Sequence, residues 1–112
     1  MQEPSAIPTK SSLSKHKIRL VELMQRINFG RIEGLVVRNG EPVLDPPPRV
    51  IREIRFGGEN GTRPEAAKEN FALKSQVVEL LNLIEAIRDG VIQRLEIKHG
   101  LPFMMTIEED AA

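Results

Sequence analysis

Leu20-Val21-Glu22-Leu23-Met24-Gln25-Arg26-Ile27-Asn28-Phe29-Gly30-Arg31-Ile32-Glu33-Gly34-Leu35-Val36-Val37-Arg38-Asn39-Gly40-Glu41-Pro42 reads as a helix, a stop, a strand, a tight turn and the start of a returning strand. The same reading recurs 60 residues downstream. Leu20, Leu23, Ile27, Gly30, Ile32, Leu35, Gly40 and Pro42 fall on Leu80, Leu83, Ile87, Gly90, Ile92, Leu95, Gly100 and Pro102 without a gap. The matches are the apolar, Gly and Pro positions that decide local structure, and Met24/Ile84, Val37/Ile97, Arg38/Lys98 and Val43/Phe103 add similar pairs. A unit of about 40 residues buries too little surface to stand by itself, so two such units are expected to share one interior.

In the first helix Leu20, Leu23, Met24 and Ile27 recur at i, i+3, i+4 and i+7, opposite Arg19, Glu22, Gln25 and Arg26. That spacing buries one face. Ser11, Ser12 and Ser14 offer N-caps, and Gly30 is read as the left-handed residue that ends the helix. The second helix carries Leu73, Val77, Leu80, Leu81, Ile84 and Ile87 on the matching stripe. Val78 and Leu83 widen its apolar surface to a second side and are the candidate residues of a partner interface.

Each strand pair is joined by a turn suited to positive φ: Asn39-Gly40 in the first unit, His99-Gly100 in the second. Pro42 and Pro102 open the returning strands, which places those strands at the sheet periphery. Leu35 and Val37 share a face, as do Leu95 and Ile97, but Ile32 and Ile92 are out of phase with them by one residue. One inserted residue restores the phase, so β-bulges are expected near Glu33-Gly34 and near Gln93-Arg94. Beyond the stiff Asp45-Pro46-Pro47-Pro48 bend, Arg49 to Phe56 reads as an additional charged strand of the first unit, with Val50, Ile54 and Phe56 on one side. Gly57 to Pro64 has the composition of a loop between units.

The expected organisation is one α+β domain: an N-terminal tail over 1–14, a first αββ unit with an extra strand over 15–57, a linker over 58–69, a second αββ unit over 70–108 and an acidic tail over 109–112. The two tandem αββ units form a mainly antiparallel sheet with both helices packed on one face.

At Ile27-Asn28-Phe29-Gly30-Arg31-Ile32, followed by Arg38-Asn39-Gly40 and a later basic strand, the chain resembles the YezD-like family of small uncharacterised bacterial proteins. The resemblance covers roughly residues 17 to 56 and implies the order helix, aromatic-Gly turn, strand, Asn-Gly turn and basic strand. It carries no catalytic residue to this chain. The second unit departs from the pattern, with Asp89 at the aromatic position.

Composition bounds the function. Across 112 residues, 16 Lys+Arg balance 16 Asp+Glu, which removes the overall basic footprint of a dedicated nucleic-acid binder. Four Phe with no Trp or Tyr leave few stacking platforms, and zero Cys excludes disulfides, thiolate metal sites and a Cys nucleophile. The polar, Pro-containing N-terminus and the lack of a long apolar run suggest a cytoplasmic protein with no membrane partner. Charge is nevertheless uneven: residues 1–63 hold 11 Lys+Arg and 7 Asp+Glu (net +4), residues 64–112 hold 5 and 9 (net −4). Either the two halves, in one protomer or between two, attract each other or the basic half faces an anion. Lys15, Lys17, Arg19, Arg31, Arg38, Arg49, Arg52 and Arg55 are the candidates for polyanion contact.

No convergent catalytic set is visible. His16 and His99 lie in regions that the repeat keeps apart, and Glu108, Glu109 and Asp110 sit in a terminal charged run. The glycines at 57, 58 and 61 lack the Lys-Ser/Thr that a phosphate loop needs. The expectation is a non-enzymatic binding or scaffold module without metal or cofactor, recognising a protein partner or pairing with itself as a homodimer. Weak binding of nucleic acid or another polyanion through the basic first unit is the alternative.

Overall fold

The computed structural model describes residues 13–57 and 74–109. The elements are α1 (Lys15–Ile27), β1 (Phe29–Arg38), β2 (Glu41–Val43), β3 (Arg49–Arg52), α2 (Ser75–Ile87), β4 (Gly90–Lys98) and β5 (Leu101–Ile107). Leu73, Ser11, Ser12, Asp110 and the linker over 58–69 lie outside the described residues. All strand pairs are antiparallel, in the order β2-β1-β4-β5, with β3 also on β1. This is an α+β fold of two tandem αββ units with both helices against one face of the sheet.

The local signals act as their chemistry requires. Ser14 caps α1, its side chain accepting from the Lys17 backbone N–H. Asn39 (φ 55°) and Gly40 (φ 74°) form one turn, His99 (φ 57°) and Gly100 (φ 72°) the other. The helix stops differ from expectation. Asn28 and Arg88, both at φ 65°, end the helices and donate their backbone N–H groups to the carbonyls of Met24 (3.0 Å) and Ile84 (3.3 Å). Gly30 already belongs to β1, at φ 154°. Asn28 and Arg88 both combine a positive φ with a negative ψ, and the stop falls two residues earlier than the glycine.

The central ladder joins the units. Gly30 faces Ile97 and Val37 faces Gly90; Ile32 faces Leu95 and Leu35 faces Ile92. Each pair therefore has a counterpart in which the corresponding residues of the two units exchange roles. The turns repeat this reciprocity: Gly40 N–H donates to the Arg88 carbonyl, and Gly100 N–H to the Asn28 carbonyl, both at 2.9 Å. Each hairpin is thereby fastened to the helix end of the other unit.

The phase slip is present in both inner strands. Ile32 and Leu35 are buried on either side of Glu33-Gly34, as are Ile92 and Leu95 around Gln93-Arg94. Because both strands carry an extra residue at facing positions, the β1–β4 register is the same before and after it. The β4–β5 register does shift between Ile92 and Arg94, and again between Glu96 and Ile97. Gly34, at φ 72° with open space around it, takes up the slip in β1.

The supposed extra strand is shorter than expected and occupies no new place in the sheet. β3 ends at Arg52, leaving Ile54 and Phe56 exposed. From Val36↔Val43 to Glu33↔Arg49 the ladder advances three residues on β1 and six on the outer chain. β2 and β3 thus form one outer track along β1, interrupted by Leu44–Pro48. β5 fills the corresponding track along β4 as one strand, with its two register shifts.

The core is one cluster to which both units contribute, including Leu20, Met24, Ile32, Leu35, Ile84 and Ile92, each fully buried. Burial of side chains of this size stabilises by ~1.5–3 kcal/mol each, before conformational entropy is counted.

Candidate functional site

The basic candidates do not converge on one patch. Lys15 and Arg19 lie exposed on α1, where Arg19 and His16 line, with Arg38, Glu41 and Asp45, a cleft of about 290 Å³. Lys17 is buried, and its ammonium is bonded to the Glu85 carboxylate near the end of α2. That bond joins the basic half of the chain to the acidic half. It also holds the Glu85 carboxyl below the usual carboxylate range, through the hydrogen bond from Lys17 first and its charge second.

Arg31, Arg49 and Arg55 belong to the helix-free face of the sheet. Arg31 donates to Glu33 at 2.7 Å, and Arg49 approaches the other oxygen of Glu33 at 3.8 Å. The bond from Arg31 outweighs the effect of burial and lowers the Glu33 pKa. Arg55 lies 4.3 Å from the centre of the Phe29 ring, which also meets His99 edge-on at 4.8 Å. Arg52 is exposed on β3, opposite Gly30. This face includes two cations of the second unit that the sequence reading omitted, Arg94, 3.7 Å from Glu96, and Lys98. Their signal was the alternation of Arg94, Glu96 and Lys98 with buried Leu95 and Ile97.

His16 and His99 stay apart. His99 sits at the Phe29 end of β1 and His16 by its Arg38 end, so a strand of ten residues, about 30 Å, separates them. Among the described residues no three His, Cys, Asp or Glu side chains are grouped to hold a metal ion. Glu108 accepts a hydrogen bond from Gln93 at 2.7 Å.

The partner-interface candidates separate as well. Val78 packs partly buried against the core, whereas Leu83 is exposed. Leu83 overlooks β5, and together with Leu80, Leu95, Pro102, Phe103 and Met105 it lines a groove of about 190 Å³. Phe103 and Met104 are half exposed beside it. Lys98, reaching across from β4, places its ammonium 4.0 Å from the Phe103 ring centre. Sequence periodicity marked Leu83; that a strand edge lies under it depended on sheet order.

No family model, curated protein or solved structure matches the chain. No helix among the described residues is long and apolar enough to cross a membrane.

Proposed function

We propose that this chain is a non-enzymatic binding module that acts through protein–protein contact, with the groove between α2 and β5 and the adjoining β5 edge as its contact surface. One observation carries this reading: the two outer tracks of the sheet are finished differently. Along β1 the track is broken by prolines and bordered by Arg49 and Arg52. Along β4 it is seven residues of Leu-Pro-Phe-Met-Met-Thr-Ile without a charge, under an exposed Leu83. Charges, prolines and interruptions are the usual means of keeping a sheet edge from pairing, and β5 has no charge or break, only Pro102 and a register shift near its start. The reading includes an internal repeat of one αββ motif, in keeping with the reciprocal ladder and turn bonds. It also includes a bacterial, cytoplasmic setting, in keeping with the YezD-like resemblance over 17 to 56.

The test is capture from a cell lysate by immobilised wild type, by Leu83→Asp and by Arg49/Arg52/Arg55→Gln. Proteins held by wild type and by the Gln variant but released by Leu83→Asp support the groove. A set of retained proteins that ignores Leu83→Asp overturns it.

The helix-free face favours a second reading, weak polyanion binding. Arg31, Arg49, Arg55, Arg94 and Lys98 share it with the carboxylates of Glu33 and Glu96. Retention on heparin that falls steeply with salt and is lost in the Gln variant supports this reading.

A further inference from the structure

We infer that the occupant of the β5 edge is a second copy of this chain, the two β5 strands pairing antiparallel about Met104 to extend both sheets into one. The inference rests on the binding reading above and names its partner.

β5 pairs with β4 on one side and, among the described residues, forms the end of the sheet on the other. What distinguishes a second copy from an arbitrary strand is the charge that flanks this edge. Antiparallel pairing about Met104 brings the end of each β5 beyond Met104 alongside the beginning of the other. Glu108 and Glu109 then lie beside the partner's turn, where Lys98 is the cation. The acidic end of each strand meets the Lys98 end of the other, twice per dimer. A parallel pairing would set Lys98 beside Lys98 and Glu108 beside Glu108, so the chain's own charge pattern selects the antiparallel arrangement.

Two features prepare the ends. Glu108 is held by Gln93, which keeps its carboxylate close to the sheet. Lys98 lies over the ring of Phe103, which brings a cation from the inner strand to the edge. Between these ends the edge offers half-exposed Phe103 and Met104, an apolar centre flanked by charge. The arrangement also closes. A two-fold contact uses the same patch on both copies, and the opposite edge of the sheet is interrupted at Leu44–Pro48, so pairing stops at two.

The test uses the full chain and sedimentation equilibrium at concentrations up to on the order of 100 µM, above the range of weak specific contacts. Wild type is expected at twice its 12.6 kDa mass. Met104 is half exposed, so its substitution leaves the core intact. Met104→Lys and Met104→Glu each place like charges across the two-fold axis and are expected to self-associate at least about tenfold more weakly. An equimolar mixture of the two variants is expected to recover the dimer, an outcome that only self-pairing about this residue produces. Wild type that sediments as a monomer throughout, or single variants that dimerise like wild type, overturn the inference. A monomeric wild type whose captured proteins still depend on Leu83 overturns self-pairing while the binding reading stands.

Discussion

Gly30 and Gly90 open corresponding stretches of the two αββ units, but the structure asks different things of them. A Cβ on Gly30 would lie 2.1 Å from the Ile51 carbonyl oxygen and 3.0 Å from the Arg52 Cα, because β3 crosses there, and its φ of 154° disfavours a side chain. A Cβ on Gly90 would meet only the Cγ2 methyl of Ile87, at 3.2 Å. Gly30→Ala is therefore expected to cost on the order of 3 kcal/mol or more and Gly90→Ala within about 1 kcal/mol, read as urea-unfolding midpoints at constant slope. Charge gives a second difference. Glu85 and Glu33 are both held below their ordinary value of 4.5, by Lys17 and by Arg31. A carboxylate depressed on folding contributes stability above its unfolded pKa and loses that contribution as pH falls through the folded one. Stability is expected to decline as pH falls below about 4.5, and Glu85→Gln to flatten part of that decline. An unaltered acid limb in Glu85→Gln would show that the Lys17 bond adds nothing.

At the scale of the element, the helices start unequally. Ser14 caps α1 with its side chain, whereas Lys74 occupies the same position in α2, with extended backbone and no side-chain bond. Lys74→Ser supplies an acceptor and removes a cation from the positive end of the helix, so it is expected to stabilise by about 0.5–1 kcal/mol. Ser14→Ala is expected to cost a similar amount, and thermal unfolding compares the two directly. The hairpins and the paired phase slips were legible from sequence because a two-residue turn and a period of two are local demands. The helix stops were legible only approximately: Asn28 and Arg88 take a positive φ that glycine nearby made unremarkable in the sequence. The relation of β2 to β3 was not legible, since it depends on both pairing with β1, from residues on opposite sides of a proline bend.

The whole molecule is held by contacts between units. The central ladder, the reciprocal Gly40–Arg88 and Gly100–Asn28 bonds and the Lys17–Glu85 pair all cross from one to the other, and the core draws on both. Residues 1–57 and 74–112, produced as separate chains, are expected to lack stable structure by far-UV circular dichroism and to recover it on mixing. A half that unfolds cooperatively by itself would contradict this dependence.

The two αββ units, the helix faces, the turns and the peripheral place of the returning strands follow from the sequence, because each rests on spacing within a few residues. Tertiary structure decided that Lys17, from the charged Lys15-His16-Lys17 run, is buried against Glu85, that β3 continues β2, and that the basic candidates divide among separate surfaces. Those outcomes depend on which distant residues are brought within a few ångströms, and a partner 68 positions away, as Glu85 is from Lys17, leaves no local trace.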